Sequence, residues 1–326
     1  MNTTAKIAVF AGALAATFGG AYGVGQAVDP VSAEPEPKAA HDKEHGTQQP
    51  EQSGAHGGHG AAADTAPGGL AVSEGGYTLD LETRSLAAGE KQELRFAVRG
   101  EDGRPLTAYA KEHEKELHLI LAARDFSTYR HLHPTRAADG TWSTPVKLPK
   151  AGDYRVFADF KPDKKGAEGL TLGADLAVGG TYRPAAIPEE SATAKVDGYT
   201  VELDGALTPG AGAELKLSVE KNGKPVTNLQ PYLGAYGHLV ALRAGDLAYL
   251  HVHPNGEPGD GKTKPGPEIS FTATAPSSGT YRLYLDFKHE GEVRTAAFTV
   301  KAGERAAGET GKETEKEAGH TDGHGH

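Results

Sequence analysis

Apolar and polar residues alternate along many short stretches of this 326-residue chain. Residues 94–98 (LRFAV) and 281–285 (YRLYL) are examples, and turn signals such as 101–103 (EDG) and 221–223 (KNG) separate stretches of this kind. A period of two places alternate side chains on opposite faces of a β-strand. No stretch has the period of an amphipathic helix. The pattern therefore predicts an all-β chain.

The strand pattern occurs twice, in two copies of roughly 105 residues. Residues 76–81 (GYTLDL) return as 198–203 (GYTVEL), and residues 118–134 align with 238–254 without a gap. About seven short strands in each copy are typical of an immunoglobulin-like sandwich. The sequence predicts two tandem immunoglobulin-like β-sandwiches, related as an internal repeat: domain 1 over residues 69–182 and domain 2 over residues 183–303.

Each copy also contains the spacing Pro-x-x-Gly-x-Tyr, at residues 149–154 and 276–281. This spacing resembles the tyrosine corner of Greek-key sandwiches, in which a phenol hydroxyl bonds the backbone a few residues upstream. Tyr154 and Tyr281 are therefore predicted to have a structural role.

The two ends of the chain differ from the repeats in composition. An apolar run over residues 7–25 predicts that residues 1–27 are a signal peptide, cleaved after Ala27. The alternative is an uncleaved membrane anchor, because the run is about long enough to cross a bilayer. Residues 28–68 and 304–326 contain histidines but few large apolar residues, and they are predicted to be disordered. We expect an exported protein, extracellular or in the cell envelope.

The composition narrows the possible chemistry. The chain contains no cysteine and one methionine, so any metal would be held by nitrogen and oxygen ligands. Disulfides, cysteine-based zinc sites and iron–sulfur clusters are excluded for the same reason. The formal net charge is −10 and no cluster of Lys and Arg is present, so nucleic acid is not an expected partner.

Each copy carries three histidines in a predicted β-hairpin. They are His118, His131 and His133 in domain 1, and His238, His251 and His253 in domain 2. With the turn near residues 124–125 or 244–245, the first histidine is expected to face the second, or its immediate neighbour, on the returning strand. The third lies two residues further on and points to the same face. Three imidazoles on one face can hold copper(II) or zinc.

A carboxylate is predicted beside each histidine set. Asp159 and Asp286 interrupt apolar strands, each expected to lie next to the strand that carries His118 or His238. Each can ligate the metal or accept the other ring N–H of a histidine, and the second role is preferred. The alternatives are a buried acceptor for a turn or for the arginine at 155 or 282, and histidines that stack or bond backbone without a metal. The unrepeated His113 and His289 are predicted to lie in loops or on the surface.

The sequence around the second hairpin resembles a known group of proteins. Residues 232–238 (YLGAYGH) and 250–254 (LHVHP) are similar to bacterial exported proteins whose immunoglobulin-like domains carry a His-x-His-Pro hairpin. The chain is also similar to the wider class of envelope β-sandwiches that includes the CopC-like copper carriers. This resemblance implies an exported location, a sandwich fold and a role related to heavy metals. CopC-like carriers use a histidine near the mature N-terminus, and cleavage after Ala27 would not present one here, so that site is not carried over.

These observations predict a non-catalytic metal-binding protein that buffers or delivers copper(II), with zinc second. The alternative is a structural or protein-interaction module of the cell surface that binds no metal. An enzyme is not expected, because a multicopper oxidase needs a cysteine and no convincing general base accompanies a zinc hydrolase site. The expected partners are metal ions and another envelope protein, and the membrane only through an uncleaved N-terminal segment.

Overall fold

The structure is a computed structural model that describes residues 67–250 and 252–303. The N-terminal segment, both histidine-containing tails and His251 lie outside the described residues. Every helix or strand assigned in the described part is a β-strand, which confirms the all-β class. The same part contains no helix that is long and apolar enough to span a bilayer.

Domain 1 is a sandwich of two sheets. Its strands in the described residues are β1 (Ser73–Glu74), β2 (Tyr77–Leu81), β3 (Ser85–Ala87), β4 (Lys91–Arg99), β5 (Tyr109–Ala110), β6 (Leu117–Ala123), β7 (Tyr129–Leu132), β8 (Thr135–Arg136), β9 (Trp142–Lys147), β10 (Gly152–Pro162) and β11 (Leu170–Gly179). One sheet has the order β1-β2-β4-β9-β8, and the other has the order β3-β11-β10-β6-β7, with β5 beside β10. Alternate residues of both sheets, such as Phe96 and Val156, fill the space between them.

Domain 2 repeats this arrangement. Its strands are β12 (Thr193–Val196), β13 (Tyr199–Asp204), β14 (Gly212–Lys221), β15 (Lys224–Pro225), β16 (Gly237–Arg243), β17 (Tyr249–Leu250), β18 (Val252–Pro254), β19 (Glu268–Thr274), β20 (Gly279–His289) and β21 (Glu292–Ala302). The sheets have the orders β12-β13-β14-β19-β18, with β15 beside β14, and β17-β16-β20-β21. Phe271 and Phe298 lie in the core between them. The structure therefore contains the two tandem immunoglobulin-like sandwiches that the repeat predicts.

The tyrosine corner is present in both domains. The Tyr154 hydroxyl donates a hydrogen bond of 2.9 Å to the carbonyl oxygen of Lys150. The Tyr281 hydroxyl donates one of 2.7 Å to the carbonyl oxygen of Ser277. Both rings are fully buried. The structural role predicted for these tyrosines is confirmed.

A third apolar cluster joins the two sandwiches. It combines Ile120, Ala122, Phe126, Tyr129 and Phe157 of domain 1 with Val240, Leu242, Leu247, Tyr249 and Tyr284 of domain 2. The rings of Tyr129 and Tyr284 stack with centroids 3.8 Å apart, and those of Phe157 and Tyr249 lie 5.8 Å apart. Since Tyr129 aligns with Tyr249 and Phe157 with Tyr284 in the repeat, the two domains meet through equivalent surfaces.

This contact explains why the central strands are apolar on both faces. All seven residues of β6 are buried, and so are the first six of β16. One face of each strand packs into the core of its own domain, and the other faces the neighbouring domain. Strands buried on both sides are expected to have near-continuous apolar runs instead of strict alternation. The histidines that begin these runs, His118 and His238, are therefore placed beside the domain interface.

Candidate metal centre

The hairpin of β6 and β7 positions the histidines of domain 1. Its register pairs Ile120 with His131 and Leu119 with Leu132, so the position opposite His118 is that of His133. The predicted pairing of His118 with residue 131 or its immediate neighbour is wrong, because the loop is centred after Asp125 instead of before it. The register differs by two residues, and side chains alternate between faces, so all three histidines still share one face.

The three imidazoles of domain 1 form a compact group, called here the histidine triad: His118, His131 and His133. One ring nitrogen from each lies within 4.8 Å of the others. The Nδ1 atom of His118 is 3.1 Å from the Nε2 atom of His131. The three ring centroids are 5.0–5.3 Å apart. The triad is therefore close enough for its members to share a single ion.

Hydrogen bonds to the outer nitrogens of His118 and His131 place one proton on each ring. The Nε2 atom of His118 is 3.2 Å from the carbonyl oxygen of Glu112, and the Nδ1 atom of His131 is 2.8 Å from a carboxylate oxygen of Asp286. Both oxygens accept only, so each of these nitrogens carries a proton and donates it. The remaining nitrogens, Nδ1 of His118 and Nε2 of His131, face each other at a hydrogen-bonding distance of 3.1 Å. The His133 Nε2 atom is also buried and has no hydrogen-bond partner.

Burial keeps His118 and His133 neutral. It lowers the pKa of His118 to about 3, with the nearby His131 as the next cause. Burial and the same neighbour lower the pKa of His133 to about 4. A neutral imidazole is the form that binds a metal.

Asp286 reaches the triad from domain 2. It lies opposite His238 in the register of β16 and β20, as the sequence predicts. Its carboxylate accepts the His131 N–H and a 2.5 Å hydrogen bond from Thr295. The side chains of His131 and Asp286 are only 5% and 3% exposed. Asp286 thus holds the His131 ring in place instead of contacting the shared nitrogens.

Asp159 occupies the equivalent position in domain 1 without joining the triad. It lies opposite His118 in the register of β10 and β6. Its oxygens accept hydrogen bonds from Thr171, at 3.0 Å, and from the Tyr249 hydroxyl of domain 2, at 3.2 Å. Both aspartates therefore accept hydrogen bonds from the opposite domain.

The alternative in which an arginine pairs with these aspartates finds no support among the described contacts. Arg155 donates to the carbonyl oxygens of Gly69, Leu70 and Gly173 and to Asp175, and Arg282 donates to Thr299.

The described residues of domain 2 do not bring its predicted set together. His238 is buried, and its Nε2 atom donates to the carbonyl oxygens of Tyr232, at 2.9 Å, and Leu233, at 3.1 Å. Its ring centroid is 6.4 Å from those of His118 and His131. His253 is exposed, and His251 lies outside the described residues. A three-histidine site in domain 2 stays a prediction.

Two further histidines complete the account. His113 is exposed on a tight turn, as the sequence predicts, and its ring centroid is 5.2 Å from that of His238. No repeat signal identifies it, because Leu233 occupies its position in domain 2. The predicted loop or surface role of His289 is wrong. It ends β20 in the interior, bonded to the Tyr199 hydroxyl at 2.7 Å and to Asn228 at 3.0 Å.

The fold and this cluster define a tandem immunoglobulin-like β-sandwich protein with a histidine-rich candidate site at the contact of its domains. The chain belongs to the family described as Domain of unknown function (DUF8832), whose model matches residues 71–168 and 194–304. The two matched segments correspond to the two sandwiches. That description names no metal, so the likeness to copper carriers stays an expectation. A comparison with curated protein sequences finds no match.

Solved structures with immunoglobulin-like domains align with most of the chain. The Escherichia coli adhesin FdeC has 18% identity and a TM-score of 0.22, over 72% of this chain and 66% of its own. Invasin, a bacterial integrin-binding protein, has 12% identity and a TM-score of 0.21, over 70% and 39%. The D0-D1 domain of intimin has 12% identity and a TM-score of 0.20, over 68% and 96%. Scores of this size carry no argument about function.

Proposed function

We propose that this protein binds a divalent transition-metal ion, copper(II) first and zinc second, through His118, His131 and His133. The observation that carries the proposal is the convergence of three ring nitrogens, one from each histidine, all within 4.8 Å of one another. Bonds of about 2.05 Å to a tetrahedral metal place two nitrogens roughly 3.3 Å apart. The Nδ1 atom of His118 and the Nε2 atom of His131 are 3.1 Å apart, so an ion between them could bond to both, and His133 would supply a third ligand.

The groups around the triad also support a metal. A metal-bound histidine usually donates its other N–H to a carboxylate or a carbonyl, which fixes the ring and raises its basicity. His131 donates to Asp286, and His118 donates to Glu112. Imidazole ligands suit copper(II) and zinc, and the chain has no cysteine that would favour copper(I) or an iron–sulfur cluster.

The proposed role is to buffer or deliver this metal outside the cytoplasm. The apolar segment over residues 7–25 supports export to the extracellular space or the cell envelope, where another envelope protein would be the partner. We do not propose catalysis, because Asp286, the carboxylate that contacts the triad, is held by His131 and Thr295.

The second candidate is a structural or protein-interaction module of the cell surface. The apolar cluster that joins the sandwiches favours it, because this cluster packs the two domains together through apolar side chains. In that case the histidines only shape the sheet. The two candidates differ in a measurable way, since a module of this kind has no reason to bind metal tightly.

The proposal is tested by equilibrium dialysis of the full chain against copper(II) and zinc. The matched variant has asparagine at the seven histidines of the tails, which are His41, His45, His56, His59, His320, His324 and His326. We expect at least one tightly bound equivalent in both proteins, because the triad is intact in each. Loss of tight binding in the tail variant would instead assign the metal to the tails. No tight binding in either protein would favour the structural module.

A further inference from the structure

A solvent-open pocket leads to the histidine triad. It has a volume of about 320 Å³, and both His113 and His118 line it. The charged groups of its lining are mainly acidic: Glu112, Glu116, Asp159 and Glu257 against Lys115 and Lys161. A cleft with an excess of one charge attracts ions of the opposite sign. The pocket therefore gives a cation a route from solvent to the triad.

A small cavity at the domain interface shares His113, His118 and Asp159 with the lining of this pocket. It has a volume of about 40 Å³, and its lining includes four histidines, His113, His118, His131 and His238. A cavity of this size has room for a water molecule or a small ion. The cavity lies beside the triad, and it brings His238 of domain 2 and the exposed His113 to the same space.

His113 and His238 have the spacing of a ligand pair. Their ring centroids are 5.2 Å apart, a distance within the range found in the triad. The Nε2 atom of His238 donates to two carbonyl oxygens, so its lone pair is on Nδ1. The turn that carries His113 has positive φ at that residue, 49°, and at Glu114, 65°. This left-handed conformation is uncommon outside glycine, although histidine tolerates it better than most residues.

We infer that His113 and His238 form a second, two-histidine metal site between the solvent-open pocket and the triad, where the ion binds as it enters and leaves. We call it the exchange site. The inference rests on the proposed function, because the exchange site binds the same ion as the triad. Two imidazoles and water bind a cation more weakly than three buried imidazoles. His118 is close to both members, with ring centroids 6.2 Å from His113 and 6.4 Å from His238. The ion passes inward by exchanging its ligands one at a time and releasing its bound water.

An exchange site on the route by which the ion enters and leaves changes the rates of binding and release without changing the affinity. Its removal raises the barrier for entry and for exit by the same amount, because both directions cross the same transition state. The dissociation constant of the triad is the ratio of the two rates and stays constant. This behaviour separates an exchange site from an additional ligand of the triad, whose loss lowers the affinity.

The test is stopped-flow measurement of zinc uptake by the metal-free full chain, and of zinc transfer from the loaded chain to a chromogenic chelator. The variant is His113→Asn, because asparagine tolerates the left-handed turn and lacks the imidazole. We expect uptake and transfer each to be about tenfold slower. This is the lower end of the increase in association rate that results when a protein concentrates an ion near its binding site. The dissociation constant should be unchanged.

A matched control and a second variant complete the test. Glu114→Asn alters the same turn and should leave both rates as in the wild type. His238→Gln can still donate to the carbonyls of Tyr232 and Leu233 but has no ring lone pair, and it should slow both rates as His113→Asn does. Wild-type rates in His113→Asn, or a weaker affinity with unchanged uptake, would overturn the inference. A wild-type protein that takes up no zinc would overturn the proposed function as well.

Discussion

Replacing His131 with alanine is expected to abolish tight metal binding and to destabilise the metal-free protein by about 3 kcal/mol. The change removes the central ligand of the triad. It also leaves the buried carboxylate of Asp286 without its donor from domain 1, and Thr295 alone remains to bond it. Denaturant unfolding measures the stability, and equilibrium dialysis measures the bound metal.

Two control variants separate these effects. His133→Ala removes a ligand whose Nε2 atom has no hydrogen-bond partner, so it should lose the metal at a smaller cost in stability. His131→Asn keeps an N–H that can reach Asp286 but has no ring nitrogen, so it should recover part of the stability without the metal. Tight binding by His131→Ala would contradict the assignment of the triad. Equal destabilisation by His131→Ala and His133→Ala would contradict the role of Asp286.

The metal-free protein is expected to lose stability steeply when the pH falls below about 6.5, the ordinary pKa of histidine. Burial lowers the pKa of His118 to about 3, and of His133 and His238 to about 4. Between these values and 6.5 the unfolded chain takes up protons that the folded chain does not. The stability from these neutral histidines is therefore complete above pH 6.5 and is lost as the pH falls toward 4.

The size of this effect follows from linkage. Each such histidine contributes up to about 1.4 kcal/mol per pH unit in this window, so three of them can remove several kcal/mol by pH 4.5. The sum is smaller than three independent contributions, because the rings lower each other's pKa. Urea unfolding between pH 7.5 and 4.5 measures it, and His118→Gln should show a shallower slope. A slope that is the same in wild type and His118→Gln would contradict this account.

Local sequence patterns predicted the fold and part of the site. The alternation of apolar residues and the spacing before Tyr154 and Tyr281 depend on short-range backbone geometry, so they identified the sandwiches and the tyrosine corners. The register of Asp159 beside His118 followed from the order of strands in an immunoglobulin-like sheet. These features lie within one domain, and a repeat makes each of them visible twice.

The contacts between the domains could not be predicted in the same way. A repeat shows that Tyr129 is equivalent to Tyr249, but it does not say that Tyr129 stacks on Tyr284 of the other domain. The hydrogen bond from His131 to Asp286 depends on that contact, and His113 joins the site only because the domains meet there. One signal of the domain contact was present in the sequence. A central strand that is apolar on both faces indicates that a second surface covers it.

The central claim is that a single ion binds between His118, His131 and His133. Anomalous diffraction at the copper absorption edge, from crystals of the copper(II)-loaded full chain, tests it most directly. The claim predicts an anomalous peak about 2 Å from a ring nitrogen of each of the three histidines. Loaded crystals with no peak among these rings, or with copper bound only elsewhere on the chain, would contradict it.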